Sequence, residues 1–227
     1  MKRIWITTLI AAALLSGCHA QEPDKRPLQT DEAMSGDWTL PYGQWGFSFT
    51  TPYGLSAQVT HARIIDTDGY LYRFFTLDPT QDDPNIVGKW NTRISGVNIN
   101  FNKVNKPPQY LVFCWDSLID KKTYETRVVF SPETWLRMKT PASQRDSENQ
   151  PVWYDRMLIG LAPEGKVRLW LEGGTDPNLP IKPIKLETVS GKQLRLCKSM
   201  VRDKASYIPI KSTEEFIKDK TYPYGEW

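Results

Sequence analysis

Residues 113–120 read FCWDSLID and run on through KKTYET into the apolar stretch RVVF. Three carboxylates fall in this short span, Asp116, Asp120 and Glu125, beside Cys114 and Ser117. Two carboxylates about 5–10 Å apart across a cleft can share the acid and base work of cleaving a glycosidic bond. That chemistry would make the chain a hydrolase or a glycan-binding protein, with tryptophans and tyrosines stacking on sugar rings. Acid–base work of other kinds needs a second element, such as a metal, a histidine or an activated nucleophile, and the stretch supplies none.

Other chemistries fare no better. Asp66-Thr67-Asp68-Gly69 opens like a calcium loop, but the twelfth position, where an EF-hand needs a carboxylate, is Leu77. Asp-Gly between two alternating segments is instead a hairpin turn. Of the two histidines, only His61 lies beyond the N-terminal region, inside an alternating strand with nothing local to orient it in a triad. There is no G-x-S-x-G, no H-E-x-x-H, no Cys/His cluster and no phosphate loop ending in Gly-Lys-Ser/Thr. No catalytic residue, metal ligand, cofactor site or cofactor is expected.

The elements that position these residues follow a period of two. If YLVFCWDS and TYETRVVF pair as a hairpin, Tyr110, Val112, Cys114 and Asp116 share one face. Leu111, Phe113, Trp115 and Ser117 share the other. Asp116 and Ser117 then end a strand and bond to turn backbone, and Asp120-Lys121-Lys122 forms an exposed tip. QWGFSF, SAQVTHARII, GYLYRFF, RISGVNINF, RMLIGL, KVRLWLE, IKLETV and QLRLC read as further strands, separated by Pro/Gly/Asp turns. Ser131-Pro132-Glu133 caps one short helix, and Ser212-Thr213-Glu214-Glu215 is a capping box for a second. Residues 140–152 and 78–92 read as polar loops, the latter broken by Pro79 and Pro84. The expected class is mainly β: an antiparallel β-sandwich or open barrel with two short helices. Most aromatics, Trp115 and Trp170 included, are expected in the sandwich core.

The N-terminus carries a cellular address. Lys2 and Arg3 precede an apolar run, Ile4 to Leu15, too short to span a membrane as a helix. The run closes with Leu15-Ser16-Gly17-Cys18, which resembles the bacterial lipoprotein box. That resemblance implies cleavage before Cys18 and lipidation of its sulfur and new amino group, a firm membrane anchor. His19, rather than aspartate, follows, which by the sorting rule of enterobacterial lipoproteins favours the outer membrane, facing the periplasm. The expected organisation is a lipoprotein signal peptide at 1–17, a flexible tether at 18–37 and a single β-rich domain at 38–227. Past the signal, 27 of the 29 basic residues remain against 26 acidic ones, with no basic run, so nucleic acid is not an expected partner. Two cysteines remain in an oxidising compartment. Cys114 and Cys197 are either a disulfide closing a long loop or two buried free thiols on separate strands.

The lipobox, DTDGYLYRF and FCWDSLIDKKTYETRVVFSPETW together resemble a family of enterobacterial lipoproteins of the domain-of-unknown-function type (DUF2931-like). The likeness spans most of the mature chain and is sharpest over FCWDSLIDKKTYET. It implies no established activity. The association of such lipoproteins with type VI secretion lipase effectors implies an immunity-protein role. Two functions therefore stand as expectations. One is a lipid-anchored periplasmic module that binds and neutralises a protein partner, with Asp116, Asp120, Lys121, Lys122 and Glu125 as candidate contacts. The other is an envelope glycan-binding protein or hydrolase using Asp116, Asp120 or Glu125.

Overall fold

The computed structural model describes residues 36–94, 98–174, 177–203 and 206–227. The signal segment, Cys18 and nearly all of the tether lie outside the described residues. In chain order the strands begin with β1 (Trp45–Pro52), β2 (Ala57–Asp66), β3 (Leu71–Phe74), β4 (Gln81–Asp83), β5 (Lys103–Val104), β6 (Pro108–Ser117) and β7 (Lys122–Val129). Helix α1 (Pro132–Met138) leads to β8 (Pro141–Arg145), β9 (Pro151–Trp153), β10 (Arg156–Ala162), β11 (Lys166–Glu172), β12 (Leu179–Pro180) and β13 (Lys185–Ser190). Helix α2 (Lys211–Ile217) follows near the C-terminus.

Among the described residues the fold is mainly β, with two sheets packed as a sandwich, a separate small ribbon, two α-helices and no closed barrel. One sheet runs β12-β11-β10-β1-β4, with β5 also on β1; the other runs β13-β7-β6-β2-β3. Alternation along the strands builds the core between them. Phe47, Phe49 and Ile159 from the first sheet meet Ile64, Phe113 and Trp115 from the second, all sealed from solvent. Burying side chains of this size is the main force holding the sheets together, at roughly 1.5–3 kcal/mol each.

Several expectations need correction. The first sheet is not wholly antiparallel, since β1 pairs in parallel with both β10 and β4. Parallel neighbours need a long crossover, and β1 reaches β10 only after the chain has laid down β2, β3, β6 and β7 of the second sheet. Residues 78–92 thus contain a short strand, and 140–152 close into the β8–β9 ribbon rather than a loop. In that ribbon the Asp146 carboxylate accepts the amides of Glu148 and Gln150 and shapes the turn. In RISGVNINF, the described residues outside 95–97 form no strand. The amides of Asn100, Phe101 and Asn102 donate to the buried Asp78 carboxylate instead of to a neighbouring strand.

Helix α1 is capped by Ser131, whose hydroxyl accepts the Thr134 amide. Helix α2 begins at Lys211 after Ile210, with no side-chain cap, so the Ser212 capping box is not used. Thr213 is fully buried in its first turn. Trp170 is buried, but outside the sandwich core: it packs with Trp90 on the outer face of the first sheet, and Trp227 covers Trp90. Gly160 lies beneath them, where a Cβ would fall 2.5 Å from the Trp90 ring.

Candidate functional site

The hairpin of β6 and β7 pairs Trp115 with Tyr124, Cys114 with Glu125 and Asp116 with Thr123. Trp115 and Tyr124 point inward and stack at 4.7 Å, and the Trp115 indole N–H donates to Thr126 Oγ1 at 2.9 Å. Asp120 belongs to this side of the sheet. Its carboxylate accepts from the hydroxyls of Tyr124 (3.1 Å) and Tyr222 (2.7 Å) and from the Glu164 amide (3.0 Å). Burial first, and then the Asp120 charge, push the Tyr124 phenol well above its ordinary range, so it remains a donor.

Asp116 and Glu125 lie on the opposite, outer face. Residues 191–203, and Tyr207 beyond them, cross that face and hide both carboxylates. Asp116 Oδ1 accepts from Thr123 Oγ1 (2.6 Å) and the Tyr207 hydroxyl (3.1 Å), and Oδ2 meets Arg202 Nε at 3.2 Å. Glu125 Oε2 accepts the backbone amides of Arg195 and Cys197, each at 2.9 Å. Arg127 holds Oε1 with Nε (2.7 Å) and Nη2. Burial alone would raise the Glu125 pKa. The two amides and the Arg127 guanidinium outweigh it and hold the carboxyl below its usual range. Cys114 and Cys197 form a disulfide, their Cα atoms 5.5 Å apart, which fastens the same segment to β6. These amide bonds also explain why QLRLC is not a strand. Its backbone turns toward Glu125 and forms 3-10 turns at 191–193 and 196–200.

The three candidate carboxylates therefore do not form one constellation. Asp120 works on the inner side of the sheet and the other two on the outer side. Asp116 and Glu125 are each 1% exposed and are removed from the set of surface contacts. Asp116 bonds to neighbouring side chains and the covering segment, not to the turn backbone. Asp120 is half-buried and ties the hairpin to the 163–165 turn and to Tyr222, so it is not a free tip. Lys121 and Lys122 remain exposed. All three carboxylates hold segments together, and Glu125 does so as the acceptor for amides of the covering segment that burial removes from water.

The rest of the outer face is open. One row across the strands reads Arg73, Arg63, Val112, Arg127 and Glu187. The next reads Leu71, Ile65, Tyr110, Val129 and Lys185. Together with Arg195 and Leu196 from the covering segment, much of this surface borders a cavity of about 570 Å³. Arg127 also reaches Glu187 (3.5 Å), and Lys185 shares that carboxylate (3.3 Å). Arg63 donates only to His61 Nε2, at 3.1 Å. His61 is buried and packs on the exposed Phe75 at 4.8 Å. Burial, reinforced by the Arg63 charge, lowers its pKa and favours neutral imidazole. Neither Arg63, Arg73 nor Arg195 has a carboxylate partner among the described residues.

This basic shelf escaped the sequence-based search, which sought carboxylates and nucleophiles. The outward phase of Arg63 in THARII and of Arg127 in TYETRVVF was visible. Their meeting on one row depends on the order β3-β2-β6-β7, which alternation does not encode. Among the described residues, no group of three or more His, Cys, Asp or Glu side chains could hold a metal ion. No described helix is long and apolar enough to cross a membrane.

A family model described as a protein of unknown function (DUF2931) matches residues 21–225. No curated protein and no solved structure matches the chain.

Proposed function

The chain belongs to the DUF2931 family, which has no known function, and from its site we propose a lipid-anchored binding protein of the bacterial cell envelope. Cys18 carries the lipid, and the β domain faces the periplasm from the outer membrane. There it captures and neutralises a protein partner, and the partner class we name is a type VI secretion lipase effector.

The observation that carries the binding role is the open outer face of the second sheet. It is concave, arginine-rich and floored by Tyr110, Val112 and Val129, and arginine and tyrosine are the side chains that dominate binding hot spots. LSGC supports the anchor, and the likeness of FCWDSLIDKKTYET to lipoproteins associated with lipase effectors supports the partner class. No observation favours a hydrolase built on Asp116, Asp120 and Glu125, whose oxygens are held by hydrogen bonds within the fold or, for Asp116 Oδ2, by an ion pair with Arg202.

The test is protection. Cells producing a periplasm-directed lipase effector from the same gene neighbourhood should survive when this chain is co-produced, and the two proteins should co-elute. An effector that kills regardless, with no complex formed, removes the proposal.

A further inference from the structure

We propose that the basic shelf receives an extended acidic segment of its protein partner, with carboxylates seated on Arg63, Arg73 and Arg195 and an apolar side chain between them on Tyr110 and Val129. This deepens, and rests on, the binding role proposed above.

Arg63 and Arg73 are direct cross-strand partners on an open face, and like charges placed opposite each other destabilise a sheet. No described carboxylate relieves them. Arg127 two strands away has Glu125 as its own partner and shares Glu187 with Lys185. Five cations, Arg63, Arg73, Arg127, Lys185 and Arg195, thus surround two carboxylates. The excess is concentrated on a row where a guanidinium can bind a carboxylate through two hydrogen bonds.

A protein segment fits this surface better than a lipid headgroup. The floor between the charges is half-buried Tyr110 and Val129 with buried Val112, suited to side chains. Arg195 and Leu196 form a wall along one side of the floor, a shape that suits a chain segment better than a flat membrane. Glu187 within the shelf would repel a dense anionic surface, yet could fix the register of a mixed-charge peptide. Adjacent strands are about 4.8 Å apart, so Arg63 and Arg127 lie roughly 10 Å apart, a span of about three residues of extended chain.

The probe is a fluorescent peptide of alternating Glu and Val, titrated by anisotropy against the full chain in detergent. A Gln/Val peptide and soluble short-chain phosphatidylglycerol serve as competitors. Binding of the Glu/Val peptide should weaken steeply with salt and resist both competitors. Arg73→Gln and Arg195→Gln should each weaken it roughly ten- to hundredfold, the loss of a charge-assisted contact.

Stability separates this from a structural role. Arg73→Gln should leave the melting temperature unchanged or raised, because it removes a like-charge neighbour. A lowered melting temperature with unchanged peptide affinity overturns the proposal. So does displacement by phosphatidylglycerol, which would assign the shelf to lipid headgroups, and so does absence of peptide binding.

The two proposals can fail separately. Effector neutralisation that survives Arg63→Gln/Arg73→Gln/Arg195→Gln overturns the shelf and keeps the role. Arginine-dependent peptide binding by a chain that neutralises no effector keeps the shelf and removes the role.

Discussion

Glu125 offers the sharpest test of how the outer face is held. In Glu125→Gln the side chain keeps its shape and loses its charge. Four donors now converge on the carboxylate: Arg127 Nε and Nη2, and the amides of Arg195 and Cys197. The substituted amide oxygen can satisfy at most two of them, and its NH₂ group must face the others. Hydrogen bonds to a charged group each contribute about 1.5–3 kcal/mol, and removing one partner of a buried ion pair costs about 3–5 kcal/mol. The terms overlap, because all four donors act on one group. Arg127 also retains Glu187, so the expected loss at pH 7 is about 3–4 kcal/mol, a fall in melting temperature of roughly 6–16 °C. Urea denaturation followed by tryptophan fluorescence, without reductant, measures it. The pH dependence carries an independent signature. The folded-state pKa of Glu125 lies below the ordinary value of 4.5. Its contribution is therefore complete above about pH 4.5 and is lost as pH falls through the folded pKa. The stability curves of the wild type and of Glu125→Gln should be separated at neutral pH and converge in acid. A difference under about 1 kcal/mol at pH 7, or two parallel acid limbs, refutes the assignment of Glu125 as the clasp of the 191–203 segment.

Four further outcomes follow from the same geometry. Trp115→Ala removes a fully buried indole, its stack on Tyr124 and its bond to Thr126, and should cost about 3–5 kcal/mol in equilibrium unfolding. Gly160→Ala places a methyl carbon 2.5 Å from the Trp90 ring and should cost about 1–3 kcal/mol while shifting the tryptophan emission of the Trp90–Trp170 cluster. Reducing the Cys114–Cys197 bond opens a loop of 83 residues and should destabilise by about 4 kcal/mol, whereas two titratable thiols in the unreduced, denatured chain would contradict the bridge. Cys18→Ser should release the protein from membranes on fractionation, and unchanged sedimentation would refute the lipid anchor.

The period-two alternation made the strand faces legible. Phe113 and Trp115 turn inward and Cys114 and Asp116 outward because a strand permits no other arrangement. The helix at 132–138 was legible as well, since Ser-Pro-Glu combines a cap, a fixed φ and a favourable charge in one turn. Strand partnership was not legible. Residues 45–52 and 156–162 alternate in the same way whether they pair in parallel or antiparallel, and four strands of the other sheet lie between them in sequence. The same blindness hid the Trp90–Trp170–Trp227 cluster, which joins residues far apart in the chain over one glycine.

The opening stretch shows why a crowd of carboxylates need not be a reactive centre. Alternation assigns Asp116 to an outward face, and an outward aspartate is normally solvated. What covers that face is decided some eighty residues later, by a segment whose alternating QLRLC suggests another strand. Once the disulfide fastens Cys197 beside Cys114, the amides of Arg195 and Cys197 are enclosed and require acceptors. Glu125, directly across from Cys114, is the group in reach. Asp116 receives Tyr207 and Arg202 further along the same segment. The carboxylates of the hairpin are thus consumed by closure of the fold, and the charge left for a partner is the opposite one. It sits beside that segment, carried by Arg195 on the segment itself and by Arg63 and Arg73 on the sheet, which face each other with no carboxylate partner among the described residues.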